Sequence, residues 1–313
     1  MPLNINTNAA ASSASYHLSK NNAALQKSLT RLSSGSRITQ PADDAGGLAV
    51  SMKLSGTINR LSGVEKNIDN AISFLQVQDG VLESAGKILD RMAELKALSQ
   101  DVLKNDSDIA NYNAEFKNLQ VQLHQMSETT FNGVSLFATT NSTGSVTFNT
   151  AGSGNTVSIF TSATGEGGSI VSINKTALLA ALTIDATSGN VAVKKTFQDA
   201  ATDGTDQIRS FGSATVGGAF ELGDVSVAVF TQALQNVATL RAENGGSVSR
   251  LQFSKESAAA QKTNLEAANG RIMDVDIATE STRLAKYNIL VQASASMLSQ
   301  ANATSNVAMM LLN

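Results

Sequence analysis

INRLSGVEKNIDNAISFLQVQDGVLESAGKILDRMAELKALSQDVL, residues 58–103, decides the fold. Leu61, Ile68, Leu75, Leu82 and Leu89 recur every seven residues, and Ile58, Ile72 and Leu98 supply a second apolar row beside them. This is the a/d seam of a helix packed against other helices in a left-handed bundle. No proline interrupts it, and at ~1.5 Å per residue such a helix runs roughly 70 Å. One compact globule does not cover a rod of that length, so the rest of the chain is expected to supply its partners.

Composition limits what those partners are. Of 313 residues 42% are hydrophobic but only 4% aromatic, with no Trp, so the cores must be mostly aliphatic. The two prolines are Pro2 and Pro41, which leaves the whole chain beyond residue 41 without the strongest helix breaker. A net charge of −3 with no basic cluster argues against nucleic acid or an anionic membrane as partner. Cysteine is absent, so stability outside a cell would come from packing or assembly. The first twenty residues lack the basic and apolar regions of a secretory signal peptide, and no run of about eighteen apolar residues spans a membrane.

On the N-terminal side, residues 1–15 are small and polar and read as a mobile arm. Leu18, Leu25, Leu29 and Leu32 share one face of a helix expected from Tyr16 to Leu32. LSSGSR (32–37) breaks it, and Pro41 with ADDAGGLAV makes a turn in which Asp43 or Asp44 is an N-cap for the long helix. On the other side, KNDSD (104–108) ends the long helix. A third helix with Ile109, Tyr112, Phe116, Leu119, Leu123 and Met126 folds back antiparallel. TTFNGVSLF (129–137) then turns at Asn132–Gly133.

Residues 138–223 change character: Ser, Thr and Gly dominate, and the runs SVTFNT, NTVSIFTS, SIVSIN and NVAVKKTF alternate as strands do. The first two are expected to pair as a hairpin on the helices, the remainder to form a small lobe, with one short helix in KTALLAALT (175–183). Helical period returns after Asp224 through Val227, Phe230, Leu234, Val237, Val248, Leu251 and Leu265, with AENGG (242–246) its weak point and Asn269–Gly270 its break. A last helix carries Ile277, Leu284, Val291 and Leu298 at seven-residue spacing, and the first helix is its natural partner. The expected fold is mainly α: a long coiled-coil-like bundle built from both chain ends, nested, with a small β-rich insert in the middle.

Catalytic chemistry finds little purchase. His17 and His124 lie on separate helices with no metal-ligand spacing and read as ordinary helix-face residues. GSGNTV (152–157) and GEGG (165–168) lack a strand–loop–helix setting and read as turns, and DSDIANYNAEF (106–116) lacks the glycine and glutamate of a calcium loop. Asp274 and Asp276 charge the start of the last helix. No cofactor, metal or active site is expected.

SLTRLSSGSRITQPADDAGGLAVSMKL (28–54), TTFNGVSLF (129–137) and ANGRIMDVDIATESTRLAKYNILVQASASMLSQAN (268–302) together resemble the bacterial flagellins, over about residues 1–137 and 225–313. Gly46 in place of an alanine and a tail without proline are mild departures. The resemblance implies a self-assembling subunit of the flagellar filament, secreted by the flagellar export pathway without a cleaved signal peptide. It implies three regions: 1–44 with 271–313 as paired inner-tube helices, 45–164 with 224–270 as the outer-tube helices and hairpin, and 165–223 as a variable exposed lobe. The polymerisation residues would be Leu18, Leu25, Leu29, Leu32, Ile277, Leu284, Val291 and Leu298. Further implied partners are an export chaperone on residues 284–312, a filament cap, and a host Toll-like receptor recognising Arg91, Leu95 and Glu115. The runner-up is a hook–filament junction protein. An enzyme carried in the middle segment is disfavoured, because the segment is short and has no metal-binding motif.

Overall fold

The computed structural model describes residues 8–138, 156–185, 192–193, 208–210 and 212–310. Two compact units form, one from residues 1–59 with 261–313 and the other from residues 60–260. Helices α2 (Ala45–Ser99) and α5 (Val227–Met273) each contribute to both. The fold is mainly α, with the ends of the chain paired and small sheets in the middle.

In the first unit α1 (Ala9–Ser34) lies antiparallel to α6 (Ile277–Met310). Helix α1 starts earlier than its hydrophobic period announces, because Asn8 caps it by accepting the Ala11 N–H at 3.0 Å. Ala and Ser carry its opening turns ahead of the leucine row. It stops at Gly35, where φ is 71° and the N–H returns to the Arg31 carbonyl at 2.9 Å. Leu18, Leu25 and Leu32 and, from α6, Leu284, Val291 and Leu298 are half-buried along the seam. Leu29, 58% exposed, and Ile277, 66% exposed, share the expected faces but stand mostly in solvent. The second row of the seam is polar. Asn21 Nδ2 donates to Ser294 Oγ at 3.0 Å, and Ser28 Oγ to Glu280 Oε1 at 2.6 Å.

Asp44, not Asp43, caps α2, accepting the Gly47 N–H at 2.8 Å. A Cβ on Gly47 would stand 2.4 Å from Asp44 Oδ2, so a side chain there would push the cap aside. Asn269, where a break was expected, lies inside α5, accepting from Ser51 Oγ at 2.7 Å. The chain turns instead at residues 274–276. Asp276 caps α6 there by accepting the Ala278 N–H at 3.0 Å and the Thr279 hydroxyl at 2.7 Å.

The second unit confirms the leucine row of α2: Leu61, Ile68, Leu75, Leu82 and Leu89 are all buried. Its companion row is not Ile58, Ile72 and Leu98, of which Leu98 is exposed. It is Val64, Ala71, Gln78, Ala85 and Met92. Small and polar residues hide that row from a search for large apolar ones. Helix α3 (Asp106–Ser127) opens with a reciprocal capping box between Asn105 and Asp108 and buries Phe116, Gln120 and Leu123. Helix α5 buries Phe230, Val237, Asn244, Leu251 and Ala258, a heptad row that passes through AENGG without a break. Asn244 Nδ2 donates to the Leu75 carbonyl at 2.8 Å, which ties that row to α2.

Such polar residues set register. Gln78 Nε2 donates to the Leu136 carbonyl at 2.6 Å, Lys96 Nζ to the Leu222 carbonyl at 2.7 Å, and Asn236 Nδ2 to the Ala181 carbonyl at 3.2 Å. Gln120 clasps both the N–H and the carbonyl of Phe220, at 2.9 and 3.0 Å. An aliphatic seam slides at little cost, whereas a buried amide has one position in which it is satisfied.

Strands β1 (Thr130–Phe131) and β2 (Val134–Ser135) form the expected hairpin, with Asn132 and Gly133 both at positive φ, 50° and 78°. The next hairpin differs from expectation. Strand β3 (Thr156–Phe160) pairs with β4 (Ile170–Asn174), so NTVSIFTS takes SIVSIN as partner. SVTFNT lies outside the described residues. The alternation of SIVSIN was the deciding signal, since Val171 and Ile173 point into the core. GEGG makes the turn between the two strands, as expected. KTALLAALT yields the short helix α4 (Leu178–Ala181), then β5 (Thr183–Asp185), the centre of a sheet with β6 (Ala192–Val193) and β7 (Ile208–Ser210).

The paired glycines of AENGG give a stability prediction. A Cβ on Gly245 or Gly246 meets nothing within 4 Å. A helix-interior glycine costs about 1 kcal/mol against alanine, so Gly245→Ala/Gly246→Ala should raise the unfolding free energy by about 1–2 kcal/mol. A higher urea midpoint is the expected reading. An unchanged midpoint would show that helix propensity does not limit this segment.

Candidate assembly surfaces

The paired terminal helices have more apolar surface than they can cover. Two helices side by side bury one stripe each, and every large residue of the α1–α6 leucine row is only half-buried. Around that row stand Tyr16 at 65%, Leu29 at 58%, Ile277 at 66%, Ile289 at 65% and Met297 at 67% exposure. These five large apolar side chains are left exposed when the two helices pair within one chain. Of the eight polymerisation residues read from sequence, six meet in the α1–α6 seam, while Leu29 and Ile277 belong to this outer set.

Asp43 fastens the connection after α1. Lys27 Nζ lies 2.5 Å from its Oδ1 and an Arg31 Nη2 3.7 Å from its Oδ2, while Thr39 donates both its N–H and its hydroxyl. The Lys27 ammonium above all, with the Thr39 donors, holds the Asp43 carboxyl down at about 2. An unfolded aspartate titrates near ~3.9. The clamp therefore contributes fully above about pH 4 and is lost as pH falls towards 2. Asp43→Asn is expected to melt below wild type at pH 7, with the two curves converging by about pH 2. A gap of constant size at every pH would show that the Asp43 charge does not hold this connection.

Among the expected receptor residues, the structure separates two from the third. Arg91 Nε and Nη2 fork onto Glu115 at 2.8 and 3.2 Å, and Nη1 reaches Glu94 at 2.8 Å. The two carboxylates raise the Arg91 guanidinium pKa, and the ion pair stays half in water. Leu95 is fully buried beneath the pair. It is packing for the folded unit, and Arg91 and Glu115 are the exposed members of the three. On α2 and α5, Arg241 forks onto Asp79 at 2.8 and 3.0 Å, lowering the Asp79 carboxyl and raising its own pKa.

Sequence reasoning missed two exposed features, Phe253 at 72% and the pair Val102 and Leu103 at 96% and 91%. The sequence pattern carries the long helix through Val102 and Leu103. They lie beyond its last residue, Ser99, between charged Asp101 and Lys104. Among the described residues no group of His, Asp or Glu is placed to hold a metal, and no helix is long and apolar enough to cross a membrane.

Paired chain ends and a long heptad bundle define a mainly helical class of protein. The family description "Bacterial flagellin N-terminal helical region" matches residues 5–142, and "Bacterial flagellin C-terminal helical region" matches residues 227–312. The chain is similar to a flagellin of Bacillus subtilis strain 168, 33% identical over 304 residues and 96% of both chains. It is also similar to a flagellin of Listeria monocytogenes, 30% identical over 99% of this chain and 100% of the other. A flagellar filament 30.7 kDa core protein of Treponema maltophilum is 29% identical over 99% of each chain. The chain belongs to the bacterial flagellin family, which consists of structural filament subunits.

Proposed function

We propose that this chain builds a flagellar filament outside the cell and polymerises through its terminal helices. The observation that carries this reading is the α1–α6 pair, whose apolar rows are half-covered within one chain and need neighbouring copies to complete their burial. Residues 1–44 and 271–313 would form the inner tube, 45–164 and 224–270 the outer tube, and 165–223 would face solvent. A non-closing contact between copies yields a helical fibre.

Sedimentation and negative-stain imaging of the full chain against one lacking residues 1–44 and 271–313 test this reading. Long filaments from the full chain alone support it. If the full chain remains monomeric, or stops at short assemblies, the hook–filament junction reading takes its place. Export without a cleaved signal peptide suits ends that become fully buried only on assembly. The uncovered stripe of α6 suits an export chaperone before that step and a filament cap at the growing end. Arg91 and Glu115 would carry contact with a host Toll-like receptor. An Arg91→Ala chain that activates the receptor as well as wild type would end that part of the reading.

A further inference from the structure

We propose that Asn132 is a site of spontaneous covalent modification. In the exposed turn between β1 and β2 its side-chain amide closes onto the Gly133 nitrogen, and water then converts it to aspartate and isoaspartate. The inference concerns the single folded chain and stands whether or not that chain polymerises.

The sequence holds three Asn-Gly pairs, Asn132–Gly133, Asn244–Gly245 and Asn269–Gly270. Such a pair is the one most open to cyclisation, because glycine has no Cβ to crowd the attacking backbone nitrogen. The three dipeptides are chemically identical, so the fold decides which of them reacts.

Two are held shut. Gly245 and Gly270 lie inside α5, where their N–H groups belong to the helix ladder and the backbone cannot turn to meet the side chain without breaking it. Their asparagine amides are tied as well. Asn244 is 3% exposed and its Nδ2 donates to the Leu75 carbonyl at 2.8 Å, while Asn269 Oδ1 accepts from Ser51 Oγ at 2.7 Å.

The third pair lacks these restraints. Asn132 and Gly133 are both exposed, and among the described residues neither the Asn132 amide nor the Gly133 N–H makes a hydrogen bond. Two residue pairs, Thr130–Ser135 and Phe131–Val134, close the hairpin around them. Asn132 is also the one non-glycine residue at positive φ among the described residues, 50°, a sparsely populated region in which the hairpin keeps it. Opening two pairs is enough to free the nitrogen, whereas freeing Gly245 or Gly270 means unwinding a packed helix.

The step needs no reagent but water. Hydroxide takes the Gly133 amide proton, the nitrogen bonds to Asn132 Cγ, and the Cγ–Nδ2 bond breaks. The amine leaves as ammonia with a proton from water. Water then opens the cyclic imide at either carbonyl. One opening leaves aspartate. The other routes the main chain through Cβ and leaves isoaspartate, with an extra methylene between residues 132 and 133. A tight turn fixes strand register by its length, so in the isoaspartate form β1 and β2 no longer pair as they did.

The test uses the soluble full-length chain, kept at mildly alkaline pH, digested and read by fragmentation mass spectrometry. Asn132 should convert about tenfold or more faster than Asn244 and Asn269. In concentrated urea, where no helix protects any of them, the three rates should converge. Asn244 or Asn269 reacting as fast as Asn132 in the folded chain would overturn the proposal, and so would an Asn132 that reacts in urea alone. Glycine is accepted at both central positions of such a turn, so Asn132→Gly keeps the fold and removes the reacting amide. Incubated wild type should lose part of its melting temperature and incubated Asn132→Gly should keep its own. An equal loss in both would overturn the loss of strand pairing.

Discussion

Phe116→Ala should lower the unfolding free energy of the second unit by about 3–5 kcal/mol, the usual cost of a phenylalanine deleted from a core. Phe116 is fully buried on α3 and meets the fully buried Phe230 of α5 edge to face, centroids 6.0 Å apart. In a chain with 11 Phe, 3 Tyr and no Trp, aliphatic neighbours do most of the packing. Rigid heptad seams leave them little room to collapse into the cavity. Such an aromatic pair adds about 0.5–1.5 kcal/mol beyond the area buried. Phe230→Ala should therefore cost a similar amount, and the double variant less than the sum. Phe253→Ala is the control: at 72% exposure it should stay within about 0.5 kcal/mol. Urea unfolding followed by far-ultraviolet circular dichroism reads all four. A Phe253 loss as large as that of Phe116 would contradict this account of the core.

The helices that proved legible were those whose seams are written in large aliphatic residues. Leu61 to Leu89 on α2, Phe116 and Leu123 on α3, and Leu284 to Leu298 on α6 could be placed from spacing alone, as could the Asn132–Gly133 turn. What escaped was the other half of each seam. Gln78, Gln120, Asn244, Ser28 and Glu280 sit at buried positions because a specific carbonyl, N–H or side chain waits for them, and that partner lies 58 to 252 residues away in sequence. Asn244 is the clearest case. Read locally, AENGG is a break; read with Leu75 opposite, it is a register pin inside a continuous helix. The β-rich segment failed for a related reason. Alternating runs declare strands but not their partners, and β3 chose SIVSIN, whose Val171 and Ile173 complete a core the local pattern cannot see. Of the assembly surface, the inward rows were readable. The outward residues Leu29 and Ile277 were merged with them, because spacing assigns a residue to a helix face but does not say how much of that face the partner helix covers.

The polar half of the terminal seam gives the second large effect. Ser28→Val should weaken the α1–α6 pairing by about 3 kcal/mol, the loss expected when a buried charged acceptor is stripped of its donor. Glu280 is 3% exposed, its Oε1 receives the Ser28 hydroxyl at 2.6 Å, and its other oxygen faces Arg283 at 3.2 Å. Valine would set methyl groups against that carboxylate. Replacing both members removes the penalty instead of exposing it: Ser28→Val/Glu280→Leu makes that position apolar and leaves Asn21–Ser294 as the row's polar pair, and such exchanges are neutral or stabilising by about 1–4 kcal/mol. Arg283, whose side chain is 55% exposed, keeps its water. Protease protection of the chain ends should accordingly fall in the single variant and recover or exceed wild type in the double. Filament growth separates pairing strength from pairing specificity. If the row only glues the helices, the double variant polymerises at least as well as wild type. If Ser28–Glu280 also fixes which residues face which, the double variant pairs tightly in mixed registers and polymerises worse despite its greater helix stability. The second outcome is the expected one, because the apolar rows repeat every seven residues, one-heptad slips leave them matched, and Asn21–Ser294 alone of the two polar pairs then opposes a slip.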